Sequence, residues 1–321
     1  MGWLWVLHLH PRPPPPLVAL LVKSVLQFGG QSMGRKPSYT VCSVFRMPMG
    51  FPPKALLSAL QYRAEPSDIF VSAYPKCGMT WVQNIVYLIL GDAIPLAAEQ
   101  RMTELFPHLE EVGKDSINAL PAPRLIKTHL PFVMTPYHPK TRYIYVARNP
   151  FDCAVSFFHH TRGFPKHYDF ADGTFEDFFE CFVAGEVDFG DYFDNLTSWY
   201  AHKDDQNVLF LTYESIKLDL CGAVLSIGKF LGHDFSQNES LVEMVLHHSS
   251  FSSMSENQDR WSSPRPENMP AFIRKGVVGD WVNQFSPEQT RCLLEKCSRR
   301  EQGCNLEALW PDIFAMARQH C

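Results

Sequence analysis

The sequence contains no Cys-x-x-Cys pair, no GxxxxGK[ST] loop and no excess of positive charge. Each absence closes a class of answer. Nine cysteines lie scattered from Cys42 to Cys321, an odd number without metal-ligand spacing. They suit free thiols in a reducing compartment better than a disulfide framework or a zinc site. The missing loop pattern argues against a P-loop kinase, which would also need an acid at a strand end to hold magnesium. With 29 Lys and Arg against 34 Asp and Glu, the net charge is −5, so nucleic acid is not the expected partner.

Long apolar runs are also scarce. In the first forty residues the longest clean stretch is Leu17 to Val22, far below the ~20 residues that span a bilayer. Four consecutive prolines, His8, His10 and Lys23 break the rest, and the charge and cleavage pattern of a signal peptide is missing. Residues 1–43 therefore read as a disordered extension and residues 44–321 as one folded domain, cytoplasmic and without a membrane anchor. The sequons at Asn195 and Asn238 read as chance occurrences.

What is present is an α/β pattern. Four short runs rich in Ile, Val, Leu and Tyr read as buried strands: Ile69 to Ala73, Arg124 to Lys127, Tyr143 to Ala147 and Val208 to Thr212. Helical spacing separates them, as in a parallel sheet covered by helices on both faces. Each run ends in polar residues, at Tyr74-Pro75-Lys76, Thr128-His129, Arg148-Asn149 and Tyr213-Glu214. Ligands of open parallel sheets bind at the carboxyl ends of the strands, so these clusters are expected to converge. The stretch from His247 to Gly279, rich in Ser, Pro and Asn, reads as one extended loop, and a loop that long inside a domain is usually functional or disordered.

The chemistry follows from those strand ends. In "YPKCGMTW", a glycine turn opens a helix, a ready anion site to which Lys76 adds a charge and Thr80 a hydroxyl. Arg148 stands at the next strand mouth, where a guanidinium suits phosphate, with Ser156 about two turns into the following helix. "FIRKGVVGDW" offers Arg274, Lys275 and Gly276 as a second anion loop, or as an ordinary solvated charge pair. Lys127 and His129, two apart, can point the same way from one strand end, and a histidine there can act as a general base.

Together these motifs resemble the cytosolic sulfotransferases. "AYPKCGMTW" is similar to the family's YPKSGTTW loop, "KTHLP" to its catalytic strand end, "ARNPFDCAVSFFHH" to its RNP segment and "FIRKGVVGDW" to its RKGxxGDW loop. The resemblance implies a P-loop-like phosphosulfate loop and transfer of a sulfonate from 3′-phosphoadenosine 5′-phosphosulfate (PAPS) to a hydroxyl or amine, without a metal ion. The product nucleotide would be adenosine 3′,5′-bisphosphate (PAP). It implies that Lys76 and the backbone of Cys77, Gly78, Met79 and Thr80 hold the 5′-phosphosulfate. Arg148, Ser156, Arg274, Lys275 and Gly276 would hold the 3′-phosphate. Trp81, Tyr213, Ser249 and Phe251 would enclose the adenine. His129 would take the acceptor proton as its oxygen attacks sulfur in line. Lys76 would stabilise the leaving phosphate with help from Lys127, and Ser156 would restrain Lys76.

The chain departs from the family pattern in three places. Cys77 and Met79 replace a Ser and a Thr, losing two hydroxyl donors worth ~1.5–3 kcal/mol each if fully used. Near Lys76 and a helix start, Cys77 is also expected to be an acidic, oxidation-sensitive thiol. The dimer motif after GDW is not kept, with Val282, Ser286, Pro287 and Arg291 at its defined positions, so a monomer or another interface is as reasonable. His108 and His160 stand where relatives carry aromatics, and with Phe157 they would line an acceptor pocket suited to a small phenol, including an amine-bearing one. The alternatives are a nucleotide-binding protein without turnover and a P-loop-type kinase.

Overall fold

Apolar runs become strands at six places in the computed structural model, which describes residues 34–321 apart from 43–44, 98, 264–265, 267–268, 270 and 301–303. They are β1 (Tyr39–Cys42), β2 (Phe45–Pro48), β3 (Ile69–Ser72), β4 (Leu125–Thr128), β5 (Arg142–Ala147) and β6 (Val208–Thr212). The last four form a parallel sheet in the order β4-β3-β5-β6, with helices on both faces, as the sequence pattern predicts. β3 is buried along its whole length, which is why it shows no alternation of polar and apolar residues. It is also the strand at which the winding reverses: the chain moves to one side for β4 and to the other for β5 and β6. In an open α/β sheet that reversal leaves a crevice beyond the strand ends.

Local chemistry sets the helix bounds around this crevice. Helix Met79–Leu90 starts after Gly78, whose φ of +103° only glycine adopts readily, and stops at Gly91. Helix Pro150–Gly163 places Pro150 in its first turn, where no amide is needed, and the Asn149 side chain accepts from the Asp152 N–H. Helix Leu220–Leu231 is capped by Asp219 and closed by Gly232.

Residues 1–33, most of the expected extension, lie outside the described residues. The boundary expected at residue 43 falls inside a hairpin, however. β1 pairs antiparallel with β2, the Ser38 amide donates to the Tyr168 carbonyl at 2.7 Å, and the Tyr39 ring packs edge-on against Tyr168. The expected long loop after His247 is likewise more ordered than its composition suggests. Ser250 caps a short helix, Phe251–Ser255, the Trp261 indole donates to the Met254 carbonyl, and the Gln258 side chain brackets the backbone of Ile273 from both sides. Composition misses this because the stabilising groups are capping hydroxyls and one amide, not an apolar period.

One buried carboxylate ties the far loop to the sheet. Asp152, 2% exposed, accepts from the amides of Gly279 (2.8 Å) and Trp281 (3.2 Å) and from the Asn149 side chain (2.9 Å). Removing it leaves two backbone donors unpaired. Asp152→Ala is therefore expected to lower the unfolding free energy by about 2–4 kcal/mol in urea titration. A loss under 1 kcal/mol would show that this tie is not structural.

Candidate active site

The register of the sheet assembles the site. Ser72 lies opposite both Thr128 and Tyr145, so the segments after β3, β4 and β5 leave the sheet side by side. Ala147 lies opposite Thr212, which makes Arg148 and Tyr213 neighbours, with the guanidinium 4.4 Å from the ring centroid. The four expected strand-end clusters thus converge on one cavity of about 260 Å³. Its wall includes Lys76, Gly78, Met79, Thr80, Trp81, Lys127, His129, Arg148, Ser156, Tyr213, Ser249, Phe251, Arg274, Lys275 and Gly276.

His129 sits at the centre. Its Nδ1 lies 2.6 Å from the Ala73 carbonyl, an acceptor, so Nδ1 carries the proton and Nε2 is the bare nitrogen. Burial, together with the nearby Lys127 charge and His108, pushes its pKa well below the usual value, so the ring is neutral at pH 7. Two side chains fix its backbone. Glu110 Oε1 accepts from the His129 amide at 2.6 Å and from the Thr128 hydroxyl at 3.0 Å, while Asn195 donates to the His129 carbonyl at 2.9 Å. Asn195 is 1% exposed and also accepts from the Tyr145 hydroxyl, so its sequon is unusable in the folded protein.

Two glycine loops close the anion-binding end. Gly78 and Gly276 both have positive φ, and a Cβ built on them would lie 2.8 Å from the Tyr213 ring and 2.4 Å from the Phe251 ring. Only glycine lets those loops lie against the rings. Arg148 holds the two loops together, donating to the Lys76 carbonyl at 3.3 Å and the Val277 carbonyl at 3.2 Å, while its Nε is buried without a partner. Lys76 adopts φ +68°, a strained value for a residue with a side chain, and its Nζ lies 4.0 Å from the Phe272 ring centroid. Arg274 and Lys275 both bind Asp280, at 2.8 and 2.7 Å. Burial opposes the charge of Asp280, but the hydrogen bonds from Lys275 and Arg274 outweigh it and hold the pKa down to about 2. The Trp81 indole donates to the Ser249 carbonyl at 2.7 Å, and the Ser249 hydroxyl is turned back onto the Val245 carbonyl.

The other end of the cavity is lined by rings. His108 packs edge-on against His129 with centroids 5.0 Å apart, and its Nε2 lies 3.5 Å from Glu110. His160 packs on Phe164 at 4.6 Å and reaches the Tyr168 hydroxyl at 3.4 Å. Burial, assisted by Lys127 at His108 and by Lys76 at His160, lowers both histidines well below their usual range. Both line the cavity as neutral rings.

Two expected site residues turn away. Phe157 is fully buried, with its ring edge-on to Tyr74, and it does not line the cavity. It precedes Phe158 and follows Ser156 on one helix, and the ~100° turn per residue lets only Ser156 face the ligand space. The Cys77 side chain is also fully buried, its sulfur 3.7 Å from that of Cys153, and its amide closes a turn on the Tyr74 carbonyl. Full burial removes the exposure that a redox-sensitive thiol needs, and the lost hydroxyl at this position is not one that would face the cavity. Met79 does line it. Glu110, Asn195, Asp152, Phe189 and Phe272 escaped the sequence reading. A sheet-end histidine signals that some group must orient it, but nothing in the sequence says which.

The sulfotransferase-domain family matches residues 66–304. Sulfotransferase 1 family member D1 of Mus musculus is 36% identical over 244 residues, 71% of this chain and 81% of that protein. Sulfotransferase 1A1 of Canis lupus familiaris is 34% identical over 270 residues, 79% of this chain and 90% of that protein. The crystal structure of mouse sulfotransferase SULT7A1 complexed with PAP matches with a TM-score of 0.71 at 30% identity, covering 88% of this chain and 99% of that one. That of retinol dehydratase in complex with retinol and PAP matches at 0.70 and 26% identity, covering 78% and 87%. With the family matched over most of its length and its relatives more than 30% identical across two thirds or more of it, the chain belongs to the sulfotransferase family.

Proposed function

We propose that this protein transfers a sulfonate from PAPS to the hydroxyl of a small phenol, with His129 as general base. The observation that carries the reading is the hydrogen bond from His129 Nδ1 to the Ala73 carbonyl, which leaves Nε2 bare in a cavity that also holds Lys76 and the glycine loop. The residues present suit the donor. Gly78 and Gly276 keep both loops open to phosphates, Trp81 and Tyr213 stand 5.5 Å apart as walls for a base, and Arg148 Nε is a buried donor lacking a partner. The donor supplies the sulfonate and departs as the bisphosphate.

His129 Nε2 removes the proton of the acceptor hydroxyl as that oxygen forms its bond to sulfur and the sulfur–phosphate oxygen bond breaks. Lys76 and the amides at the start of helix Met79–Leu90 offset the charge that grows on the departing oxygen. Lys127, whose own pKa burial lowers, adds a second positive charge beside His129. Arg274 and Lys275 exchange their Asp280 partner for the 3′-phosphate, and Ser156, on the same cavity wall, restrains Lys76 before the acceptor enters. Rings at His108, His160 and Phe164 accommodate a flat acceptor.

Incubation with radiolabelled PAPS and a panel of phenols, steroids and aliphatic alcohols tests the reading. Phenols are expected to be labelled first, and PAP binding with no transfer to any acceptor would favour the reading without turnover. His129→Ala is expected to bind PAP as the native protein does and to lose at least about a hundredfold in kcat; retained turnover would overturn the base assignment. Because the neutral imidazole is the active form and its pKa is lowered, kcat/KM for a phenol should stay level from pH 8 down to about 6.5 and fall only below that. A decline already between pH 8 and 7 would place the essential base elsewhere. Gly78→Ala is expected to raise the PAP dissociation constant at least about tenfold, because the added methyl must displace Tyr213 and sit at positive φ. Calorimetry reads that shift directly.

A further inference from the structure

Helices Phe175–Ala184 and Tyr192–Tyr200 are joined by a turn that enters the ring-lined end of the cavity. Phe189 in this turn has φ +63°, and its ring packs on His129 with centroids 4.8 Å apart. The residue before it, Asp188, lines the same cavity and is 1% exposed. Its Oδ2 accepts from the Tyr168 hydroxyl at 2.8 Å, while its Oδ1 is buried without a hydrogen-bond partner. No cation pairs with it among the described residues: the nearby Arg46 is engaged with Glu186 at 3.7 Å. The groups that face it are the hydroxyls of Tyr39 from β1 and of Tyr74, and Tyr168, which links it to the His160 ring at 3.4 Å. Burial pushes the carboxyl up to about 7, against the hydrogen bond from Tyr168.

A carboxylate placed among rings, with one bare oxygen and no counter-ion, is a costly arrangement that a cationic ligand would relieve. Nothing in the donor chemistry uses it, since PAPS is anionic. We propose that Asp188 is an anchor for a protonated amine on the acceptor, so that the substrate class is a phenol bearing a basic side chain. The proposal rests on the sulfotransferase reading of the same cavity. The phenol hydroxyl would lie at His129 Nε2 and the ammonium at Asp188 Oδ1, with Phe189, which touches His129, packed against the aromatic ring between them.

Tyramine and 4-propylphenol, similar in size and differing in the ammonium group, separate the outcomes. With radiolabelled PAPS, kcat/KM of the native protein is expected to be at least about tenfold higher for tyramine, and Asp188→Asn should cut that ratio at least about tenfold, chiefly through the KM of tyramine. An Asp188→Asn variant that lowers both substrates alike, or neither, overturns the anchor. A native preference for 4-propylphenol does so without any variant, which covers the case in which Asp188→Asn does not fold. Calorimetric titration of both phenols into the PAP complex reads amine recognition apart from turnover. Tighter binding of tyramine there with no transfer would refute catalysis and support the anchor, and equal binding would refute the anchor even in an active enzyme.

Discussion

The site depends on the position of β3 between β4 and β5 in parallel register. That pairing places the Ala73 carbonyl under His129 and the Lys76 carbonyl beside Arg148. One hydrogen bond selects the tautomer of the proposed base, and the other holds the anion loop against the RKG segment. A slip of one residue would turn each strand's side chains to the opposite face and separate both pairs. Burial of all four β3 residues opposes such a slip, because each side chain would have to repack in an already filled interior.

Charge is organised around the same line. The cations Lys76, Arg148, Arg274 and Lys275 surround the glycine loops, and an anionic ligand there meets backbone amides and a helix N-terminus as well. Toward the other end the histidines are neutral, because desolvation and the neighbouring lysines both oppose a further positive charge. The imidazoles therefore act as flat walls rather than as cations. Asp188 is the buried carboxyl in that wall without a cationic partner among the described residues, which sets the acceptor end apart from the cation-lined donor end.

Much of this was legible before any coordinates. All four core strands agree with their expected ranges to within one residue, because buried parallel strands write themselves as unbroken Ile, Val and Tyr runs. Of the expected donor-side residues, all but Cys77 line the cavity, since the strand ends, the helices they lead into and the RKG loop meet there. The misreadings came where a side chain had two possible faces. Phe157 and Cys77 each sit one residue from a ligand-facing neighbour, and packing against Tyr74 and Cys153 decided their direction. Residue 43 misled as a boundary because β1 and β2 are too short to carry a period of their own.

The sequence by itself determined the chemistry at the strand ends: which residues bring a glycine turn, a lysine, an arginine or a histidine, and in what order along the chain. These are local properties, set by backbone sterics and by the apolar runs that precede them. Only the tertiary structure decided which nitrogen of His129 is bare, which carboxylate orients it and that Asp188 stands uncompensated in the acceptor wall. Those outcomes depend on groups far apart in the chain, such as Ala73, Glu110, Tyr168 and Asn195. Desolvation and hydrogen-bond pairing act between them only after the sheet has closed.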